Sequence, residues 1–137
     1  MTKDRRQGIG LHTGLVALGG AGYTLLELAW RGRTHWSMFL VGGVCFELIG
    51  QIHGRLTHRP LALRCGLCAA AISAVELVSG CVLNLRLRLG VWDYSKMRFH
   101  ILGQVCLAYS LLWLLLSGAV WPLYRACYRL LRRKRSL

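Results

Sequence analysis

The feature that most constrains this chain is a succession of four long apolar blocks separated by short basic segments. Each block has the length, about 20 residues, that a helix needs to cross the hydrocarbon layer of a bilayer. The chain is 55% hydrophobic and its mean hydropathy is positive, which exceeds the apolar content of an ordinary soluble domain. We therefore predict an all-α, polytopic membrane protein: a single membrane domain built as a four-transmembrane-helix bundle.

The predicted spans cover about residues 9–30, 36–53, 65–85 and 101–124, and residues 125–137 form a basic tail. A short hydrophilic turn joins the first two spans, which predicts an antiparallel helical hairpin. Pro60 ends any helix that continues past the second span. The first block runs past the length of a signal-peptide core and ends without a small-residue cleavage site, so we interpret it as a retained span.

The basic residues predict the orientation of the chain. Twelve of the eighteen Lys and Arg residues lie in the N-terminal segment, the middle loop and the C-terminal tail. Positive residues concentrate on the cytoplasmic side, so we expect both termini in the cytoplasm. The tail is expected to contact anionic lipids, and we predict no nucleic-acid partner for the net charge of +13.

Three of the five acidic residues, Glu27, Glu47 and Glu76, lie in or at the edge of an apolar block. An ionisable side chain near mid-membrane costs about 2.5–3.5 kcal/mol on insertion scales, so such a residue indicates a functional or structural role. Glu76 shares one helical face with Ser73 and Asn84. These groups either line a polar cavity for a solute, ion or proton, or they bond to one another and hold the helices together.

Other polar residues extend the set. Gln104 adds a polar group to the fourth block, and Glu47 is one turn from Gln51. Glu27 has Arg31 one turn away, a spacing typical of an interfacial ion pair. The candidate pathway residues are Glu76, Asn84, Gln104, Glu47 and Asp93. The candidate loop and interface residues are Trp92, Tyr94, Ser95, Glu27, Arg31 and Arg33.

The loop between the third and fourth spans contains the run Trp92 to Ser95. Asp93 can cap the following segment or pair with a nearby arginine, while Trp92 and Tyr94 can anchor the loop at the membrane interface. The run is interpretable as a structural lid that needs no ligand. It is also interpretable as part of an extracytoplasmic binding site.

The chain lacks the motifs of common enzymes and cofactor sites. It has no GxxxxGK[ST] phosphate loop, no HExxH and no GxSxG, and its five histidines do not have metal-ligand spacing. The pair Cys65 and Cys68 forms a CxxC without a second pair, which we interpret as helix packing. We therefore expect no enzymatic activity, no cofactor and no metal site.

Several motifs resemble one bacterial family, the type IV or CmpB-like family of ABC transporter permeases. In sequence order the matching runs are ELAWRGRTHWSM at 27–38, GGVCF at 42–46, ELVSG at 76–80, VWDYS at 91–95 and LGQVCL at 102–107. The resemblance covers roughly residues 14–120, and small animal transmembrane proteins share the WDYS run. Glu47 stands where the family has an apolar residue, and His100 stands where it often has asparagine.

The resemblance implies a small membrane permease, or a permease subunit, for an unidentified small solute or ion, located in a bacterial cytoplasmic membrane. It also implies a separate ATP-binding subunit as a candidate partner. Four short spans enclose little volume, so we expect a homo-oligomer, and the GxxxG of Gly10 and Gly14 could serve either intrachain packing or self-association. The alternative function is a non-transporting membrane regulator or assembly partner.

Overall fold

The computed structural model describes residues 3–136, apart from the side chain of Asp4. Four α-helices account for most of this chain: α1 (Lys3–Arg31), α2 (Trp36–Arg55), α3 (Leu61–Gly80) and α4 (Leu107–Ser136). A π-helical segment, Cys81–Arg86, continues α3, and a small hairpin of β1 (His100–Ile101) and β2 (Val105–Cys106) precedes α4. Four helical segments are long and apolar enough to span a membrane: Arg5–Arg31, Trp36–Arg55, Leu61–Arg86 and Leu107–Ser136. The predicted all-α class with four such helices is confirmed.

The helix ends follow local chemistry. Gly32 adopts a positive φ of 70° after α1, and its N–H bonds to the carbonyl of Leu28, which closes the helix with a left-handed cap. Pro60 immediately precedes α3, a position where its missing N–H removes no helical hydrogen bond. The helix break predicted at Pro60 is present, and the third helix follows it directly. This helix starts at Leu61, four residues before the predicted start of the third span at Cys65.

The fourth helix differs from the sequence prediction at both ends. It begins at Leu107, not near residue 101, because the backbone of 100–106 folds back on itself. His100 pairs with Cys106, Ile101 pairs with Val105, and Leu102 and Gly103 both take positive φ in the turn between them. At the other end the basic tail continues the helix to Ser136, giving 30 residues or about 45 Å.

The chain divides into two compact units. Unit 1 consists of the residues up to Gln51 and those from Val120 onward, and unit 2 consists of Ile52–Ala119. Unit 1 thus contains α1, most of α2 and the C-terminal half of α4. Unit 2 contains the end of α2, all of α3, the π-helical segment, the hairpin and the N-terminal half of α4.

Unit 1 is held together by a small core and by close approach of helices. Leu11, Leu15, Phe46 and Tyr124 form the buried core. Gly10 and Gly14 of α1 face Arg135 and Leu131 of α4, so the predicted GxxxG is used for packing within the chain. The helices α1 and α2 approach each other at glycines, including Gly20, where a Cβ would collide with the Phe39 carbonyl oxygen.

We expect Gly20→Ala to destabilise unit 1 because its Cβ has no room against the α2 backbone. Overpacking of this kind costs about 1–3 kcal/mol. Gly22→Ala is the matched control on the same helix: its Cβ meets nothing within 4 Å, and alanine favours a helix by about 1 kcal/mol over glycine. Thermal unfolding in detergent, followed by circular dichroism, should show a lower Tm for Gly20→Ala and an equal or higher Tm for Gly22→Ala. Equal melting of Gly20→Ala and the unsubstituted chain would contradict this packing.

Candidate polar site and loop latch in unit 2

Glu76 lies in the interior of unit 2, and only one of its two carboxyl oxygens has a hydrogen-bond partner in the described chain. The residue is 7% exposed. Its Oε1 accepts a hydrogen bond of 2.7 Å from the indole Nε1 of Trp113 on α4. Its Oε2 is buried and has no hydrogen-bond partner within residues 3–136. Burying an acceptor without a partner costs free energy, so this oxygen is either strained or available to a ligand.

The face of α3 that contains Glu76 is the polar face predicted from residue spacing. Ser73 shares a 2.8 Å hydrogen bond with Ser110 of α4, three residues before Trp113. One turn beyond Glu76, Gly80 lies so close to the Gln104 side chain that a Cβ there would collide with it. Spacing along α3 therefore correctly grouped the residues that face α4 and the hairpin.

Asn84 and Gln104 form a hydrogen-bonded pair that fixes the loop before α4. The Asn84 Nδ2 donates to Gln104 Oε1 at 2.7 Å, and Asn84 Oδ1 accepts from the Val91 backbone N–H at 2.6 Å. Gln104 Nε2 donates to the Leu102 carbonyl, and the Gln104 carbonyl accepts from the Trp92 indole. We call these residues (Asn84, Val91, Trp92, Leu102 and Gln104) the loop latch. The polar atoms of its two amide side chains are occupied by the chain itself.

Trp92 is a buried residue of the loop before α4. It is 5% exposed, and its indole N–H donates to the Gln104 carbonyl at 3.0 Å. A buried indole needs a hydrogen-bond acceptor, and the hairpin supplies one, so Trp92 packs inside the loop; its predicted anchoring at the membrane interface stays a prediction. Trp30 and Trp36, by contrast, are exposed at the ends of α1 and α2.

The remaining residues of the WDYS run shape the loop surface. Asp93 is exposed, and its Oδ1 accepts the backbone N–H of Ser95 at 2.9 Å. Hydrogen bonding from Ser95 holds the pKa of the Asp93 carboxyl below its ordinary value, with smaller contributions from His100 and Lys96. Tyr94 stacks on Tyr109 of α4 with ring centroids 4.8 Å apart. Of the two predicted roles for Asp93, the loop cap is the one present, and neither ion pair of the described chain includes it.

Glu47 belongs to unit 1, where three donors surround its carboxylate. His12 Nδ1 lies 2.6 Å from Oε1, Gln51 Nε2 donates to Oε1 at 2.8 Å, and Tyr124 Oη lies 3.2 Å from both oxygens. Gly50 leaves the room that the Tyr124 ring occupies. The structure therefore places Glu47 in a network of its own, in a different unit from Glu76.

Glu27 is held in the predicted ion pair near the end of α1. Arg31 Nη1 donates to its Oε1 at 2.7 Å, and the Thr34 hydroxyl donates to its Oε2 at 3.1 Å. Glu27 is 6% exposed, as buried as Glu76, yet both of its oxygens have partners. Arg33 lies exposed in the turn after α1.

Sequence reasoning missed several partners. Trp113, Tyr124 and Ser110 lie inside an apolar block, where aromatic and small residues are ordinary, and no motif distinguishes His12 in the first block. The buried cysteines Cys65 and Cys68 carry free thiols. Within residues 3–136, no three His, Cys, Asp or Glu side chains are placed to hold a metal ion.

The helices and the polar interior define a class: a multi-pass, all-α membrane protein. The model of the family described as Putative ABC-transporter type IV matches residues 20–134, and the chain belongs to this family. Neither the curated proteins nor the solved structures contain a match to the chain.

Removal of the Asn84 side chain should open the loop latch. Asn84→Ala removes the acceptor of the hydrogen bond from the Val91 N–H and the donor to Gln104 Oε1, a cost of about 1–3 kcal/mol. Because about 1.4 kcal/mol corresponds to tenfold in an equilibrium, we expect the amides of Val91 and Trp92 to exchange hydrogen roughly tenfold faster or more. Asp93→Asn is the control, since it keeps an oxygen for the Ser95 N–H and should leave these rates unchanged. Unaltered exchange in Asn84→Ala would refute the latch.

Proposed function

We propose that the protein is a small membrane permease, or the membrane subunit of one, that moves a small solute or ion past Glu76. The observation that carries this proposal is the state of the Glu76 carboxyl, which is buried while Oε2 has no partner within the described residues. A carboxyl that served only a structural role would be expected to have both oxygens paired, as those of Glu27 and Glu47 are. An unpaired oxygen in the interior is what a transported ligand would occupy.

The other predicted pathway residues receive different roles in this proposal. Asn84 and Gln104 form the wall beside the path, because the polar atoms of their side chains are already used in the loop latch. Asp93 lies exposed at the outer loop, where it would form the mouth. Glu47 holds α1, α2 and α4 together in unit 1. No catalytic reaction is assigned to the chain.

Orientation and partners follow from charge and family membership. Arg135 near the end of α4 donates to the Gln7 carbonyl of α1, so the N- and C-terminal segments meet at one end of unit 1. Both segments are basic, which supports a location of both in the cytoplasm, beside anionic lipids of a bacterial cytoplasmic membrane. Membership of an ABC-transporter family supports a separate ATP-binding subunit, and the small size supports a homo-oligomer.

A second function has an observation in its favour. The network around Glu47 and the loop latch are paired within the chain, as expected for a membrane regulator or assembly partner whose polar groups only join helices. This alternative predicts that the Glu76 carboxyl has no ligand and that its neutralisation leaves the composition of membrane vesicles unchanged.

A direct test compares the contents of membrane vesicles from native cells that carry the unsubstituted chain, Glu76→Gln, Glu27→Gln or no copy. Vesicles from native cells keep any partner subunit, and untargeted mass spectrometry with elemental analysis detects a solute whatever its identity. We expect at least one solute or ion to depend on the chain and its transport rate to fall tenfold or more in Glu76→Gln. Glu27→Gln, the same chemical change at an equally buried carboxyl, should preserve transport. If vesicles with and without the chain contain the same solutes and ions, the result would support the alternative function, a non-transporting membrane regulator or assembly partner.

A further inference from the structure

The unpaired Oε2 of Glu76 restricts the chemical class of a ligand that could bind at this carboxyl. Within unit 2, the amide groups of Asn84 and Gln104 are occupied by each other and by the loop backbone. The hydroxyls of Ser73 and Ser110 bond to each other. Of the polar groups on this face of α3, the Glu76 carboxyl alone has a buried oxygen without a partner in the described chain. A solute with many polar groups, such as a sugar, would leave most of them unpaired here.

The charge around Glu76 points to a positive ligand. The ion pairs of the described chain join Arg31 to Glu27 and His12 to Glu47, and neither includes Glu76. The hydrogen bond to Glu76 from within the chain comes from the neutral indole of Trp113. A buried carboxylate with no counter-charge is costly, whereas a bound cation or proton removes that cost. The ionised carboxyl would repel an anionic solute.

The surroundings favour an organic cation over a metal ion. Calcium takes six to eight oxygen ligands and magnesium requires six in near-octahedral geometry. The hydroxyls nearby on these helices are already engaged: Ser73 and Ser110 bond to each other, and Ser79 and Ser117 donate to carbonyls of their own helices. Trp113 instead contacts the carboxyl through the N–H edge of its indole ring, and Ile72, one turn before Glu76 on α3, is fully buried. Apolar and aromatic surroundings favour a cation that carries apolar groups over a metal ion that keeps a shell of oxygen ligands.

We propose that Glu76 and Trp113 form a binding site for a lipophilic monovalent organic cation, such as an alkylated ammonium ion, in competition with a proton. The inference builds on the proposed function, since it names the class of solute at the same carboxyl. When the cation binds, the protonated carboxyl loses one proton to solvent and the carboxylate pairs with the cation. When a proton returns to Oε2, the cation is released. No bond other than O–H forms or breaks, so charge is conserved in each direction.

The test uses the full-length protein in detergent or lipid nanodiscs and two probes of the same shape and opposite charge. Tetraphenylphosphonium is the cation and tetraphenylborate is the anion. A chain of formal net charge +13 would favour the borate if binding were non-specific, so a preference for the phosphonium reports a specific carboxylate. Binding is measured by equilibrium dialysis, and proton release by the pH change of a weakly buffered sample.

We expect the protein to bind tetraphenylphosphonium with release of up to one proton per cation, and to bind it more weakly as the pH falls. Glu76→Gln should weaken this binding tenfold or more, while Glu27→Gln should preserve it. Size-exclusion chromatography establishes that each variant is folded. Equal binding by folded Glu76→Gln, or no binding by the folded unsubstituted chain, would overturn the inference.

The outcome separates this inference from the proposed function. Transport of an anion or neutral solute that depends on Glu76, without phosphonium binding, would leave the permease standing and remove the cation site. Phosphonium binding at Glu76 without any solute that depends on the chain in vesicles would leave the cation site standing and remove the permease.

Discussion

The structure depends on one constraint, the need of every polar group inside an apolar helical protein to find a partner within the chain. Three carboxyl groups meet this constraint in different ways. Glu27 pairs with Arg31 and Thr34, and Glu47 accepts from His12, Gln51 and Tyr124. Glu76 alone of these three leaves a buried oxygen unpaired within residues 3–136. Glu76 therefore differs from two carboxyls of the same type in having an oxygen that a ligand could bind.

Much of unit 2 could be predicted from the sequence because helical spacing is regular. The separations among Ser73, Glu76 and Asn84 placed them on one face, and that face contacts α4 and the hairpin. The hairpin itself could not be predicted in this way. By their sequence, Val105 and Cys106 would begin an apolar helix. In the structure they form the second strand of the hairpin, and the hydrogen bonds of Gln104 with Asn84 and Trp92 hold the turn that precedes it.

The assignment of Glu47 and Glu76 to different units also could not be predicted from the sequence. Both are acidic residues in apolar blocks, and nothing in their neighbours along the chain tells which helix each will face. Their partners are both aromatic residues of α4: Tyr124 belongs to unit 1 and Trp113 to unit 2. Tertiary packing decided that one carboxyl joins three helices while the other has an open oxygen. Family membership agrees with a transport-related role and leaves the solute to be found from this site.

The central claim, that the Glu76 carboxyl is open to exchange with a ligand, can be tested most directly by infrared difference spectroscopy. Spectra of the unsubstituted chain minus Glu76→Gln isolate the carboxyl band of this residue. Transfer into heavy water and addition of an organic cation then report whether solvent and ligand reach it. The account predicts that the band shifts rapidly in heavy water and changes from the carboxylic acid to the carboxylate form when the cation is added. A band that neither exchanges nor responds would show a dry, closed carboxyl and would contradict the account.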